Sequence, residues 1–242
     1  MSGGSAMYHG ANYQAAIAAF FATLALAENT NRMPPELPQT APPVRVGAEQ
    51  NWPVDDLAVW FRATSMAWIQ AKASLDASGL SDVINQMVRN VVHGRERASG
   101  TPLRQEDRLL LAIGSASRWI EVDLRELFVR IGRLAADDDL SAAFQEDGPV
   151  KRAFETVLPM VREALEANGE PTDITAVRRV LSSARIWPIN EDELQRLTIG
   201  LLDPYVLEDG VQANAALAIL RQQFAKLHNI ARSTTSTSCE RS

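Results

Sequence analysis

Val54-Asp55-Asp56-Leu57 and Trp68-Ile69-Gln70-Ala71-Lys72 are the two stretches from which the fold is read. Side chains of an extended chain point alternately to opposite faces. Leu57, Val59 and Phe61 therefore share one face of a strand, and Asp56, Ala58 and Trp60 the other. In the second stretch Ile69 and Ala71 oppose Trp68, Gln70 and Lys72. An acid thus opens one short strand, and a polar-x-Lys triplet closes the next.

Working outward, three runs rich in Val, Ile, Trp and Phe are expected as strands, at residues 44–50, 56–62 and 66–74. Asn51-Trp52-Pro53 and Ala63-Thr64-Ser65 read as the turns between them, which makes a meander. The proline-rich segment from Met33 to Pro43 excludes helix and central strand and is expected as a connector. Before it, residues 11–29 read as a helix apolar nearly all round, the mark of a buried element. After the third strand, Leu80, Val83, Ile84, Met87, Val88 and Val91 recur at helical spacing, with Ser81 or Asp82 as cap. Arg108 to Ser115, with Leu109 to Ile113 at its centre, then reads as a short buried strand ending at Gly114.

Beyond residue 117 everything reads as helical, over 121–134, 149–168, 173–186, 191–203 and 211–230. Thr172 or Asp173 and Asn190-Glu191-Asp192-Glu193 supply capping signals. The expected organisation is α/β, a core at 1–117, a helical regulatory or partner-binding region at 118–231, and a polar disordered tail at 232–242.

The chemistry expected of the opening stretches is metal-assisted phosphodiester hydrolysis. It needs a metal to polarise the phosphate, an activated water and a nearby cation. Asp56 is the first candidate ligand and Glu49 a second carboxylate. Gln70 and the Ala71 carbonyl complete a shell for Mg2+ or Mn2+, which keeps several waters and takes few protein ligands. Lys72 would orient or deprotonate the water, or hold the phosphate.

These residues resemble the PD-(D/E)XK, or restriction-endonuclease-like, nuclease superfamily. Its common core runs αβββαβ, with the acid at the second strand and acid-x-Lys on the third. Gln70-Ala71-Lys72 is similar to the branch in which Gln replaces the last acid. Gly10-x-x-Tyr13-Gln14 resembles the opening of the double-stranded-DNA nuclease modules at the N-terminus of bacterial anti-phage defence proteins, and Gln86 falls where those modules often carry a helix glutamine. The resemblance covers residues 8–115 and implies a restriction-endonuclease-like core followed by an all-helical region. It implies a Mg2+-dependent endodeoxyribonuclease, with Tyr13, Gln14 and Gln86 lining the active site. The expected partners are duplex DNA, a separate ATPase or sensor, and a second copy of the chain. The alternative is a catalytically inactive module of the same fold that binds DNA or protein and works through such a partner.

Plainer readings stand beside these. Lys72 would serve equally as an edge-strand lysine that discourages sheet pairing, and Asp55-Asp56 as a turn opening a strand. Tyr13 and Gln14 would satisfy a helix start. Arg89, Arg95 and Arg97 are candidate DNA contacts, and a solvated helix end is the ordinary alternative.

Composition sets the outer bounds. The chain has 242 residues, 46% hydrophobic and 22% charged, enough to bury a real core. A formal net charge of −6 offers polyanions no global attraction, so anion binding must rest on local basic groups. Cys239, the sole cysteine, rules out a disulfide framework and a thiolate zinc site, which suits a reducing cytoplasm. The apolar run from Ala15 to Ala27 is too short to span a bilayer and lacks the basic flank of a secretion signal, so no membrane association is expected.

Overall fold

Arg108-Leu109-Leu110-Leu111-Ala112-Ile113 is apolar on both faces of a strand, the pattern of a parallel strand covered on both sides. In the computed structural model it is β4 (Arg108–Ile113), set inside a five-stranded sheet of order β1-β2-β3-β4-β5. The structure describes residues 3–37, 39, 41–48, 56–62, 65–97, 107–135, 138–140, 142–144, 148–205 and 212–226.

Three strands form the expected meander: β1 (Pro43–Ala48), β2 (Leu57–Phe61) and β3 (Met66–Lys72), paired antiparallel. From β3 the chain passes through helix α2 (Ala77–Arg97) and returns as β4, parallel to β3, with Lys72 level with Ile113. With α1 (Gly3–Leu26) at the start, the first six elements run α-β-β-β-α-β. The register of β3 on β4 is pinned at its start by Asp107, whose buried carboxylate accepts the Met66 amide at 2.8 Å.

Helix α2 begins three residues before the apolar repeat that announced it. Its cap is Asp76, which accepts the Gly79 amide at 2.8 Å, and neither Ser81 nor Asp82 has that role. A carboxylate at this position satisfies an otherwise orphaned N–H of the first turn.

The second half departs from the all-helical expectation. After a π-helical turn (Trp119–Leu124) come α3 (Arg125–Arg133), α4 (Pro149–Ala167) and α5 (Ile174–Ser183). The chain then extends as β5 (Ala184–Pro188), parallel to β4 at the sheet edge, where a helix had been expected to run on to 186. Val177, Val180, Leu181 and Ala184 keep helical spacing and so hide the boundary, but Ile186 and Trp187 go to opposite faces, as in a strand. Pro188 donates no ladder bond and is tolerated because it closes an edge strand. Helix α6 (Glu191–Leu202) and a helix over 212–226 follow. Asp173 and Asn190 cap α5 and α6 as expected, accepting the Ala176 and Glu193 amides at 2.9 and 2.8 Å.

The sheet separates two cores. On one face Trp68, Leu109, Leu111 and Ile113 pack against α2 to α5 through Val83, Met87, Phe128, Val157 and Val177. The chain on either side of residue 117 thus contributes to one cluster. On the other face Leu57, Val59, Ile69, Leu110 and Ala112 meet α1 and α6. Phe20, Phe21 and Trp187 form an aromatic group there, with ring centroids 5.3, 5.4 and 6.1 Å apart. Each such side chain contributes about 1.5–3 kcal/mol by leaving water, so this buried α1 is a fixed wall for whatever lies at the sheet's end. Among the described residues no helix is long and apolar enough to cross a membrane.

Candidate functional site

The carboxyl ends of β3 and β4 open onto a cleft of about 780 Å³, lined by His9, Gly10, Tyr13 and Gln14 of α1, by Ala71 to Ser74, and by Gly114 and Glu191. Ligands of open α/β sheets sit beyond the carboxyl ends of the strands, where loops and helix starts converge. Gly114 is required here. A Cβ on it would lie 2.6 Å from the Ala73 carbonyl oxygen, so the two strand ends approach as closely as they do only without a side chain.

Asp56 lies immediately before β2, beside the end of antiparallel β3. One carboxylate oxygen accepts Nε2 of Gln14 at 2.7 Å, and the other accepts the Ala71 amide at 2.8 Å. The acid therefore ties helix α1 to strand β3. Ala71 faces it with its N–H, whereas the sequence reading had assigned Ala71 a carbonyl ligand.

Gln70 is buried, at 1% exposure, on the face of β3 turned to α2. Its Nε2 donates to Oε1 of Gln86, and its own Oε1 has no hydrogen-bond partner. Lys72, two residues on, is half-buried. It lines both the main cleft and an adjoining hollow of about 500 Å³ formed with Ser74, Asp76, Gly79, Asp82 and Ser115. The hydrogen bond from the Gly79 amide, then that from the Ser78 hydroxyl, holds the Asp76 carboxyl below its ordinary range. An anionic cap thus faces Lys72 across the hollow.

Tyr13 lines the cleft while its hydroxyl donates to the Ile189 carbonyl at 2.7 Å, joining α1 to the exit of β5. Burial, and then the charge of Glu191, push its phenol well above the ordinary value.

The structure thus gathers Tyr13, Gln14, Asp56, Gln70, Ala71, Lys72 and Gln86 at one end of the sheet. Glu49 lies outside the described residues. Arg89 is exposed on α2; Arg95 and Arg97 are in its last turns, and their side chains lie outside the described residues. Sequence reasoning missed Glu191, Asp76 and Ser115 as cleft residues, because they arrive from the starts of α6 and α2 and from the end of β4. Capping patterns marked the Glu191 neighbourhood only as a helix start.

A hard cation would find a mixed donor set here. Among the described residues no group of three or more His, Cys, Asp or Glu side chains gathers to hold a metal. The unpartnered amide oxygen of Gln70 is of the type that Mg2+ takes, whereas both oxygens of Asp56 already accept hydrogen bonds from Gln14 and Ala71.

No protein-family model matches the chain, and no curated protein matches it. Solved structures similar to the chain include two receptors. One is the Cap4 SAVED/CARF-domain containing receptor of Moraxella osloensis, at 13% identity and a TM-score of 0.44, covering 90% of this chain and 43% of that one. The other is the Acinetobacter baumannii Cap4 SAVED/CARF-domain containing receptor with the cyclic trinucleotide 3'3'3'-cAAA, at 10% identity and a TM-score of 0.49, covering 90% of this chain and 41% of that one. The chain spans less than half the length of either. Both are described as receptors. The expected PD-(D/E)XK assignment is corrected on that finding, and with it the DNA endonuclease activity and the duplex-DNA partner. At these identities and TM-scores the likeness assigns no ligand to this chain; what stands is an α/β chain with a five-stranded mixed sheet.

Proposed function

We propose that this chain is a ligand-binding module of a receptor-type protein, and that the cleft at the carboxyl ends of β3 and β4 takes a small phosphate-bearing molecule of oligonucleotide type. The observation that carries this reading is the Gln70 amide oxygen, buried and without a partner on β3 two residues before Lys72, which lines the cleft. An unsatisfied buried acceptor costs about 1–3 kcal/mol, which a ligand's donor or an accompanying cation would recover. Lys72 supplies positive charge to the cleft, and Glu191 and Gln14 line it with further hydrogen-bonding groups. Mg2+ or Mn2+ belongs to the same proposal, held by the Gln70 and Asp56 oxygens and supplying charge neutralisation to the phosphate. A bacterial defence setting, and a partner ATPase or sensor that reads the bound state, complete it.

The test is calorimetric titration of cyclic triadenylate into the chain with and without Mg2+, with Lys72→Ala and Gln70→Glu alongside. Saturable binding is expected, weakened about tenfold or more in Lys72→Ala, since a charge-assisted contact carries at least that factor. Gln70→Glu is expected to tighten Mg2+ binding measured without nucleotide. Equal affinity in wild type and Lys72→Ala would sink the reading.

A further inference from the structure

The opposite end of the sheet holds a second concavity, of about 770 Å³, at the amino ends of β4 and β5. Four guanidinium groups reach its walls: Arg108 from the start of β4, Arg185 from the start of β5, and Arg125 and Arg133 from α3. This chain is acidic overall, so such a grouping is a local inversion of its charge.

The arginines are held in place by the fold. Nη1 of Arg185 donates to the carbonyls of Ala184, Ser182 and Phe128 at 2.6, 2.9 and 3.4 Å. Gly132 of α3 makes room for the same guanidinium, since a Cβ there would stand 2.3 Å from Nη2 of Arg185. Burial, then the charge of Arg108 and less strongly that of Arg133, lower the pKa of Arg185 to about 10 against the pull of Glu36. Positive charge therefore exceeds negative around this group.

Of the three carboxylates that share the wall, Glu36, Glu121 and Glu126, two are engaged outside the pocket. Glu126 pairs with Arg130 at 2.8 Å, and Oε1 of Glu121 accepts the Ala116 amide at 2.7 Å. Glu36 is bound through Oε1 to Arg125, at 2.8 and 2.5 Å. Its side chain is 3% exposed, and Oε2 has no hydrogen-bond partner. The pocket thus offers clustered guanidinium donors and, a short way off, one buried acceptor that lacks a donor. Pro35, Leu37, Val122 and Val129 add apolar wall between them.

We infer that this pocket binds a mononucleotide, its phosphate held by Arg133, Arg108 and Arg185 and a base amine or ribose hydroxyl donated to Oε2 of Glu36. Arginine forks match phosphate oxygens two at a time, and the volume lies in the range of small-ligand sites. Neither ion pairing within the pocket nor the carboxyl-end cleft explains a buried carboxylate oxygen left without a donor beside a surplus of arginine. The inference is independent of the reading of the Lys72 cleft, since the two concavities share no residue.

The test is equilibrium titration of adenosine monophosphate, adenosine and inorganic phosphate into the full chain, with Arg133→Ala, Arg133→Glu and Lys72→Ala. Arg133 is exposed, so its variants are expected to fold, and circular dichroism checks that they do. The nucleotide is expected to bind more tightly than phosphate or adenosine alone. Arg133→Ala should weaken it about tenfold and Arg133→Glu more, as loss and reversal of a charged contact require. Lys72→Ala should leave it unchanged. Wild-type affinity in both Arg133 variants, or loss of binding in Lys72→Ala instead, would overturn the assignment.

Discussion

The two ends of the sheet use the same strands for opposite arrangements of charge. At the carboxyl ends the Asp56 carboxylate is satisfied on both oxygens and joins α1 to β3, and Lys72 and Glu191 line the cleft. At the amino ends four arginines crowd a pocket in which Glu36 pairs with Arg125 and the other two carboxylates are bound elsewhere. At the first end, polar groups of the site also hold the fold together. At the second, the fold holds the polar groups in a cluster that a bound anion would relieve. Substitutions should therefore cost stability at the carboxyl end, and at the amino end they should change ligand affinity more than stability.

The sharpest test of that contrast is a pair of glycines. Gly114→Val puts a branched side chain against the Ala73 backbone, where a Cβ alone would sit 2.6 Å from the carbonyl oxygen. The strand ends must separate, and overpacking of this kind costs about 3 kcal/mol. Chemical denaturation should show that loss, with the cleft disrupted as well. Gly132→Ala meets only the end of the Arg185 side chain, at 2.3 Å from Nη2, so the guanidinium swings away from its carbonyl acceptors. A smaller loss, about 1 kcal/mol, is expected. A Gly132→Ala chain as unstable as Gly114→Val would erase the distinction between the two ends.

Next in size is Asp56→Ala, which leaves the Ala71 amide and the Gln14 side chain without their acceptor. Unfolding by urea should show a loss of about 2 kcal/mol. Asp56→Asn keeps one acceptor oxygen and is expected to lose about half of that. If Asp56→Ala is neutral, its carboxylate serves a ligand alone and the structural tie between α1 and β3 is not what holds this end.

How much of this was legible in the sequence follows from how far apart the contributing residues lie. Asp56, Gln70, Ala71 and Lys72 occupy two adjacent strands, and period-two alternation put them near one another before any coordinates did. Gln14 and Gln86 were placed by resemblance, and they do reach Asp56 and Gln70. That resemblance carried the arrangement of residues further than it carried the family and the activity. Strand β5 was lost because Val177, Val180, Leu181 and Ala184 continue a helical period through the point where the backbone extends, and its parallel pairing with β4 is non-local. The arginine pocket had no local signal. Arg108, Arg125, Arg133 and Arg185 are scattered in the chain and meet only because β5 joins the sheet beside β4 and α3 packs across both.

The smallest expected effect tests the seam between the cleft and the core. Tyr13 is buried at 1% exposure, and its hydroxyl donates to the Ile189 carbonyl at 2.7 Å. Tyr13→Phe removes that bond, leaves the carbonyl unpaired, and is expected to cost about 1 kcal/mol at neutral pH. Burial and the Glu191 charge raise the phenol's pKa above its ordinary value of 10.0. Above that value the folded chain keeps a proton that the unfolded chain has shed, so this contribution is complete below pH 10 and is lost as the pH climbs. Urea midpoints measured between neutrality and pH 11 should fall more steeply for wild type than for Tyr13→Phe. Parallel curves would mean that Tyr13 titrates freely in the cleft, and that α1 is not anchored to the end of β5 by this hydroxyl.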